Sequence, residues 1–79
     1  MAARLVFLGR LRDAAGASEL QVDPGAMATV LAALPAVLAL EVMADRVRWA
    51  LNGALVSRDD VTSLGDGDEL AFLPPVSGG

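Results

Sequence analysis

The sequence predicts a small α+β domain in which one main helix packs across one face of a mixed β-sheet. Three observations carry this prediction. Segments with the two-residue alternation of β-strands occur before residue 24 and again after residue 46. Between them, apolar residues recur at three- and four-residue steps, which is the spacing of an amphipathic helix. An Asn-Gly dipeptide at 52–53 separates two strand candidates, as in a tight hairpin.

The first strand candidate is "RLVFLG", which opens the predicted sheet. Leu5 and Phe7 would face one side of this strand, and Val6 and Leu8 would face the other. Because both sets are apolar, we expect both faces to be covered by something.

The second strand candidate is "ASELQVD", after a connection "RLRDAAG" that Gly16 closes. Leu20 and Val22 are predicted to point inward and the polar residues beside them outward. The Asp-Pro-Gly signal at 23–25 is typical of a turn and ends this strand.

A helical pattern follows the turn. Pro35 cannot donate to the hydrogen-bond ladder of a helix, so we expect the first segment to end at Leu34. Pro35 would then open a second short turn through about Ala44. The apolar stripe of this region consists of Met27, Val30, Leu31, Leu34 and Leu38.

Alternation returns in "RVRWALN", with Val47, Trp49 and Leu51 on one face. This pattern favours packing in the core or on the sheet for Trp49 over a role as a stacking platform. The dipeptide Asn52-Gly53 predicts a tight turn, and "ALVS" then returns as a short strand.

The polar loop "RDDVTSLGDGDE" precedes the last strand, and Val61 and Leu64 are its predicted apolar plugs. The acidic residues of the loop lack the spacing of a calcium loop and are read as a solvated turn. In the last strand, "ELAFLP", Leu70 and Phe72 alternate against Ala71 and Leu73.

The predicted order is strand, strand, helix, strand, short strand, strand, which is the order of a ubiquitin-like β-grasp. We assign residues 1–73 to the β-grasp domain and residues 74–79 to an extended C-terminal functional tail.

Composition excludes several classes of function. The chain has no Cys, His, Lys or Tyr, which removes most nucleophilic and proton-shuttling side chains. Because Cys and His are absent, we predict no metal site. A net charge of −4 argues against nucleic acid as a partner. The uncharged stretch 24–40 is short, rich in alanine and interrupted by Pro35, so we expect no membrane association and a cytoplasmic location.

The cluster of Arg10, Arg12 and Asp13 fits an anion or partner site and a solvated helix end equally well.

The C-terminal sequence "LPPVSGG" is where chemistry is expected. Pro74 and Pro75 stiffen the exit from the last strand, and glycine lets the terminal backbone enter a narrow cleft. Such an arm presents one functional group, the α-carboxylate of Gly79, which is ionised at neutral pH and a poor acyl donor. It becomes reactive only after another enzyme activates it, for example as an acyl-adenylate. A frayed, inert terminus is the alternative.

The segments "VFLGRLRDAAG", "WALNGALVSRD" and "DGDELAFLPPVSGG" resemble the MoaD/ThiS family of ubiquitin-like sulfur carriers, over nearly the whole chain. Within the family the resemblance is strongest to the MoaD type, the small subunit of molybdopterin synthase. The ending is its most specific part.

This resemblance implies a set of partners. A MoeB-type adenylating enzyme would use ATP to activate Gly79, and a sulfurtransferase would convert it to a thiocarboxylate. The tail would then insert into a MoaE-type large subunit, in a heterotetramer, and its sulfur would build the dithiolene of molybdopterin from cyclic pyranopterin monophosphate. The carrier itself would bind no cofactor and would not be catalytic alone.

The resemblance also implies roles for individual residues. Gly78 and Gly79 match the terminal pair of the family, and Arg12 matches an arginine that faces the partner. The lead-in of the inserted tail would be Pro74, Pro75, Val76 and Ser77. Apolar contacts to the partner would come from Leu8, Leu55 and Leu73, which we expect to form an exposed patch.

Three other functions stay open from the sequence. The sulfur of a related carrier would go to thiamin, cysteine or tRNA thiolation. A protein modifier would instead join Gly79 to lysines of target proteins. A plain interaction domain with an inert tail is the third.

Overall fold

A computed structural model describes residues 2–75 of the chain and confirms the α+β class. Within that range the protein forms seven strands, three α-helices and one 3-10 turn. In chain order these are β1 (Ala3–Phe7), α1 (Arg10–Ala15), β2 (Glu19–Val22), β3 (Gly25–Ala26), α2 (Met27–Ala32), α3 (Ala36–Val42), β4 (Arg48–Leu51), β5 (Ala54–Val56), the 3-10 turn (Arg58–Asp60), β6 (Ser63–Leu64) and β7 (Glu69–Leu73).

Five strands form one mixed sheet in the order β2-β1-β7-β4-β5. The central pair, β1 and β7, is parallel, and the other neighbours in this sheet are antiparallel. The short strands β3 and β6 pair separately. The first and last strands therefore lie side by side in the middle of the sheet, as in a β-grasp, and the chain leaves the sheet from its centre.

The core lies between this sheet and the helices. Phe72 on β7 is fully buried, with its ring centroid 5.5 Å from that of Phe7 and 5.4 Å from that of Trp49. The Trp49 side chain is 2% exposed, and its indole N–H donates to the carbonyl oxygen of Val42 at 3.0 Å. The predicted packing role of Trp49 is confirmed, because the polar atom of its buried ring is satisfied at the end of α3.

The main helix consists of two segments, α2 and α3, with Pro35 as the residue that precedes α3. The predicted break at this proline is confirmed, although α2 ends at Ala32 and Leu34 follows in a turn. Leu34 still packs in the core. Among the described residues, no helix is long and apolar enough to cross a membrane.

The connection after β1 forms a helix that the sequence analysis missed. Residues Arg10–Ala15 form α1, and Gly16 ends it in the left-handed region, with its N–H donating to the carbonyl of Arg12 at 2.8 Å. Leu11 is the buried residue of this helix. A single apolar anchor gives no helical periodicity, so the available signal was the glycine at the C-terminal cap.

Among the described residues, the chain itself covers one face of β1, so the expected cover of the second face does not come from this part of the protein. Leu5 and Phe7 are buried under the helices, whereas Val6 is half-buried and Leu8 is exposed. The helices α2 and α3 contribute to one core on one side of the sheet. Within residues 2–75, the other side is left uncovered, because all described helices with buried residues pack into that same core.

The Asn-Gly turn is confirmed and is joined to the start of β7. Asn52 and Gly53 both have positive φ, 51° and 88°. The Asn52 side chain accepts from the Glu69 N–H at 2.9 Å and donates to Asp68 at 3.1 Å. The Gly65 N–H donates to the other oxygen of Asp68 at 2.9 Å. These bonds lower the pKa of Asp68 below its ordinary value of 3.8, with the Gly65 N–H as the main cause and Asn52 the second.

Acidification is expected to destabilise the wild type more than an Asp68→Asn variant. The pKa of Asp68 in the folded state lies below the unfolded value of 3.8. The ionised carboxylate therefore contributes to the free energy of unfolding above pH 3.8, and this contribution is lost as the pH falls through the folded-state pKa. Urea unfolding between neutral and strongly acidic pH, followed by Trp49 fluorescence, measures this. Asp66→Asn in the same loop is the matched control. Equal acid sensitivity of the wild type and Asp68→Asn would contradict the assignment.

Candidate functional site

The candidate site begins with the uncovered side of the sheet, which we call the open face. Strand register places four apolar residues in one row across β1, β7, β4 and β5, and these are Val6, Ala71, Ala50 and Leu55. Leu55 is 64% exposed although it lies in a strand. An exposed apolar row on a small domain indicates a surface that contacts another molecule.

Three residues predicted to contact a partner share this face. Leu8 is 40% exposed and extends the row at the end of β1, where its N–H donates to the carbonyl of Phe72 at 3.3 Å. Leu73 is half-buried at the end of β7 and pairs with Arg48 of β4. Because Leu8 and Leu55 are three strand spacings apart, the patch is about 14 Å wide.

Arg12, the fourth residue predicted to contact a partner, lies elsewhere. It is exposed on α1, whose Leu11 packs into the core on the helix side of the sheet. A partner on the open face would have to extend past the end of β1 to reach it. The role of Arg12 stays a prediction.

One end of the open face carries an ion network that is satisfied within the chain. Arg4 on β1 contacts Glu69 at 2.7 Å and Glu19 at 3.6 Å. These side chains are all substantially exposed, so the pairs contribute little to stability. They do mark the boundary of the apolar patch.

The opposite end holds the root of the tail, where Pro74 packs on Gly9. A Cβ built on Gly9 would lie 2.9 Å from Cγ of Pro74, and Gly9 has φ of +56° and ψ of −135°. Only glycine adopts this backbone conformation without strain and leaves room for the proline ring. Sequence patterns do not reveal this contact, because 65 positions separate the two residues.

A cleft of about 570 Å³ opens beside the root of the tail. It is lined by Arg46, Arg48, Arg58, Asp45 and Pro75, together with apolar side chains of β4 and β5. Its charged lining is thus mainly cationic.

One of these arginines, Arg58, is bound to the backbone of the same chain. Arg58 donates to the carbonyl oxygens of Met43 and Ala44, just after α3. It also lies 3.8 Å from Asp45. A cation at this position complements the C-terminal end of a helix.

The remaining residues of the predicted site, Val76, Ser77, Gly78 and Gly79, lie outside the described residues. Pro74 and Pro75 are half-buried; Pro74 packs on Gly9, and Pro75 lines the cationic cleft. Their role in tail insertion stays a prediction.

Comparison with known proteins places the chain among sulfur carriers and related small proteins. A molybdopterin synthase sulfur carrier subunit from Chlamydomonas reinhardtii is 34% identical over 86 aligned positions that cover 100% of both chains. The structure of SAMP1 from Haloferax volcanii matches with a TM-score of 0.73 at 26% identity, covering 100% of both chains. A complex of subunits 1 and 2 of the molybdopterin-converting factor from Helicobacter pylori matches with a TM-score of 0.66, again over 100% of both chains, and at 23% identity it shows the fold alone.

A family model, described as the ThiS family, matches residues 5–79. That range includes β1 from Leu5 onward, all later strands, the apolar residues of the open face, the glycine-proline contact and the terminal glycines. Together with the whole-length relative, this match shows that the chain belongs to the ThiS/MoaD family.

Proposed function

We propose that this protein is the sulfur-carrier small subunit of a molybdopterin synthase. One observation carries the proposal: the chain leaves the centre of the sheet at Leu73, directly beside the exposed apolar residues of the open face. A partner that covers this face is placed to receive the tail in its own cleft. The identity with a molybdopterin synthase sulfur carrier subunit supports the same function.

The proposed chemistry occurs at the carboxylate of Gly79. In the cleft of a MoeB-type enzyme, a carboxylate oxygen attacks the α-phosphorus of ATP, and pyrophosphate leaves. A hydrosulfide ion delivered by a sulfurtransferase then attacks the acyl carbon, AMP leaves with the former carboxylate oxygen, and a proton is released. The product is a thiocarboxylate, and the carrier contributes a narrow arm but no catalytic side chain.

The loaded carrier then docks on a MoaE-type large subunit through Leu8, Leu55 and Leu73. Two carriers bind a dimer of large subunits in this proposal. Two loaded carriers each give one sulfur to cyclic pyranopterin monophosphate, which forms the two-sulfur dithiolene of molybdopterin, and hydrolysis at each acyl carbon returns Gly79 to its carboxylate. The apolar centre of the open face fits such a docking role, because interface cores are depleted of charge.

A protein modifier is the second candidate function. The similarity to SAMP1, described as small archaeal modifier protein 1, favours it. In this case an amine of a target protein, instead of a sulfur nucleophile, would displace AMP from the activated Gly79. The chain has no lysine, so its own side chains offer no site for building polymeric chains.

The test is the intact mass of the full chain after incubation with ATP, a cognate MoeB-type enzyme and a sulfur donor. We expect a gain equal to the replacement of one oxygen by sulfur, and no gain for a variant that lacks Gly79. Unchanged mass beside an enzyme of demonstrated activity would contradict the sulfur-carrier proposal. Amide-linked adducts on lysines of other proteins would favour the modifier. Transfer of the sulfur by the loaded chain to thiamin, cysteine or tRNA pathways alone would reassign the acceptor.

A further inference from the structure

Two exposed arginines, Arg46 and Arg48, line the cleft at the root of the tail. Arg48 lies opposite Leu73 in the strand register, and Arg46 lies in the turn that leads into β4. Both are exposed and line the cleft that Pro75 also lines. Within residues 2–75, neither forms an ion pair or a side-chain hydrogen bond, whereas Arg58 in the same cleft is engaged with backbone carbonyls.

The distribution of charge over the open face is therefore polarised. At the far end, the carboxylates of Glu19 and Glu69 share the single cation Arg4. At the tail end, Arg48 lies opposite Leu73, and Arg46 lines the same cleft as Pro75. The whole chain carries a formal charge of −4, so this local positive charge is opposite in sign to the net charge of the protein. A complementary partner has carboxylates only on the side where the tail enters.

We propose that Arg46 and Arg48 bind aspartate or glutamate carboxylates that flank the tail-accepting channel of the protein docked on the open face. The planar guanidinium group suits paired hydrogen bonds to a carboxylate. This inference rests on the proposed function, in which a partner protein covers that face, and it adds the chemistry and orientation of the partner's surface.

The position of the two arginines favours protein carboxylates over the phosphates of a nucleotide. Four residues separate Pro75 from the end of Gly79, and an extended chain of that length reaches about 13 Å. A nucleotide that reacts with Gly79 at the end of an extended tail would thus lie well away from a cleft at Pro75. Contacts at the root of the tail come instead from the rim of the channel that surrounds it.

Charges at the rim of an interface mainly control the rate of association and its dependence on salt. We therefore expect Arg46→Gln/Arg48→Gln to slow association with a purified MoaE-type large subunit about tenfold at low salt, with a smaller effect at high salt. The apolar contacts of the open face stay intact in this double variant, so its dissociation rate should change less than its association rate.

The matched control is Ala32→Glu/Ala36→Glu. It shifts the net charge by the same amount as the glutamine variant but places the charge on exposed positions of the helix side. Stopped-flow association of the full chains, at several salt concentrations, gives the rates. Trp49 fluorescence and circular dichroism verify that each variant is folded.

A second pair of variants tests the proposed function separately from this inference. Leu55→Asp introduces charge into the open face, and Leu40→Asp introduces it on the outer surface of α3, where Leu40 is 75% exposed. The proposed function requires that Leu55→Asp weaken binding far more than Leu40→Asp.

Normal association rates for Arg46→Gln/Arg48→Gln, beside weakened binding by Leu55→Asp, would overturn the inference and leave the proposed function standing. Equal slowing by the glutamine variant and by its helix-side control would also overturn it, because total charge would then explain the effect. If the wild-type chain does not bind the large subunit, or if it dimerises through the open face instead, both the inference and the proposed function are overturned.

Discussion

Replacing Phe72 with alanine is expected to remove about 3–5 kcal/mol of folding free energy and to leave a large part of the chain unfolded at room temperature. Phe72 lies on the central strand β7, is fully buried, and contacts the rings of Phe7 and Trp49. A domain of 79 residues has one small core, so the free energy lost with its central aromatic ring is a large fraction of its total stability.

Urea unfolding measures this prediction. Circular dichroism must accompany Trp49 fluorescence, because Phe72 touches the reporter ring. Phe72→Leu is the control: it retains most of the apolar volume and gives up the aromatic pairs, each worth about 0.5–1.5 kcal/mol. We expect the leucine variant to unfold between the wild type and the alanine variant. An alanine variant as stable as the leucine variant would show that the site relaxes around the missing ring.

Replacing Gly9 with alanine is expected to destabilise the protein and also to misplace the root of the tail. The backbone conformation at Gly9, with φ of +56°, costs a residue with a side chain about 1–3 kcal/mol. The added Cβ would also lie 2.9 Å from Cγ of Pro74, so either the proline ring or the loop must move. Because the tail has to enter a partner's cleft, a small displacement at its root reduces productive insertion.

Gly16→Ala separates backbone strain from the steric contact. Gly16 also has positive φ, 74°, but a Cβ there would meet no atom within 4 Å. Both variants should lose stability in urea. Only Gly9→Ala should slow thiocarboxylate formation and sulfur transfer, measured at a temperature where both variants are folded. If the two variants lose transfer activity in parallel, the Pro74 contact has no role in positioning the tail.

Local patterns in the sequence determined much of the fold. The alternation in "RLVFLG" and "ELAFLP" predicted which side chains of β1 and β7 share a face, because the two-residue period of a strand needs no knowledge of its neighbours. Pro35 predicted the division of the main helix, since a missing N–H is a local property. The plugs Val61 and Leu64 are buried as predicted.

Short elements escaped prediction. Helix α1 has six residues and one buried side chain, too few to show a helical period. The pairing of β3 with β6 involves two residues on each strand and depends on the loops that bring them together. In both cases tertiary contacts override weak local preferences.

The candidate site divides in the same way. The terminal glycines and the proline exit are visible in the sequence, because their chemistry depends on residue type and order alone. Only the tertiary structure decided that Leu8, Leu55 and Leu73 share an uncovered face, that Gly9 makes room for Pro74, and that Arg48 stands beside the tail. The physical reason is that periodicity specifies which side of a strand is apolar. Strand order and register, set by packing of the whole core, specify which strands become neighbours and which side stays open.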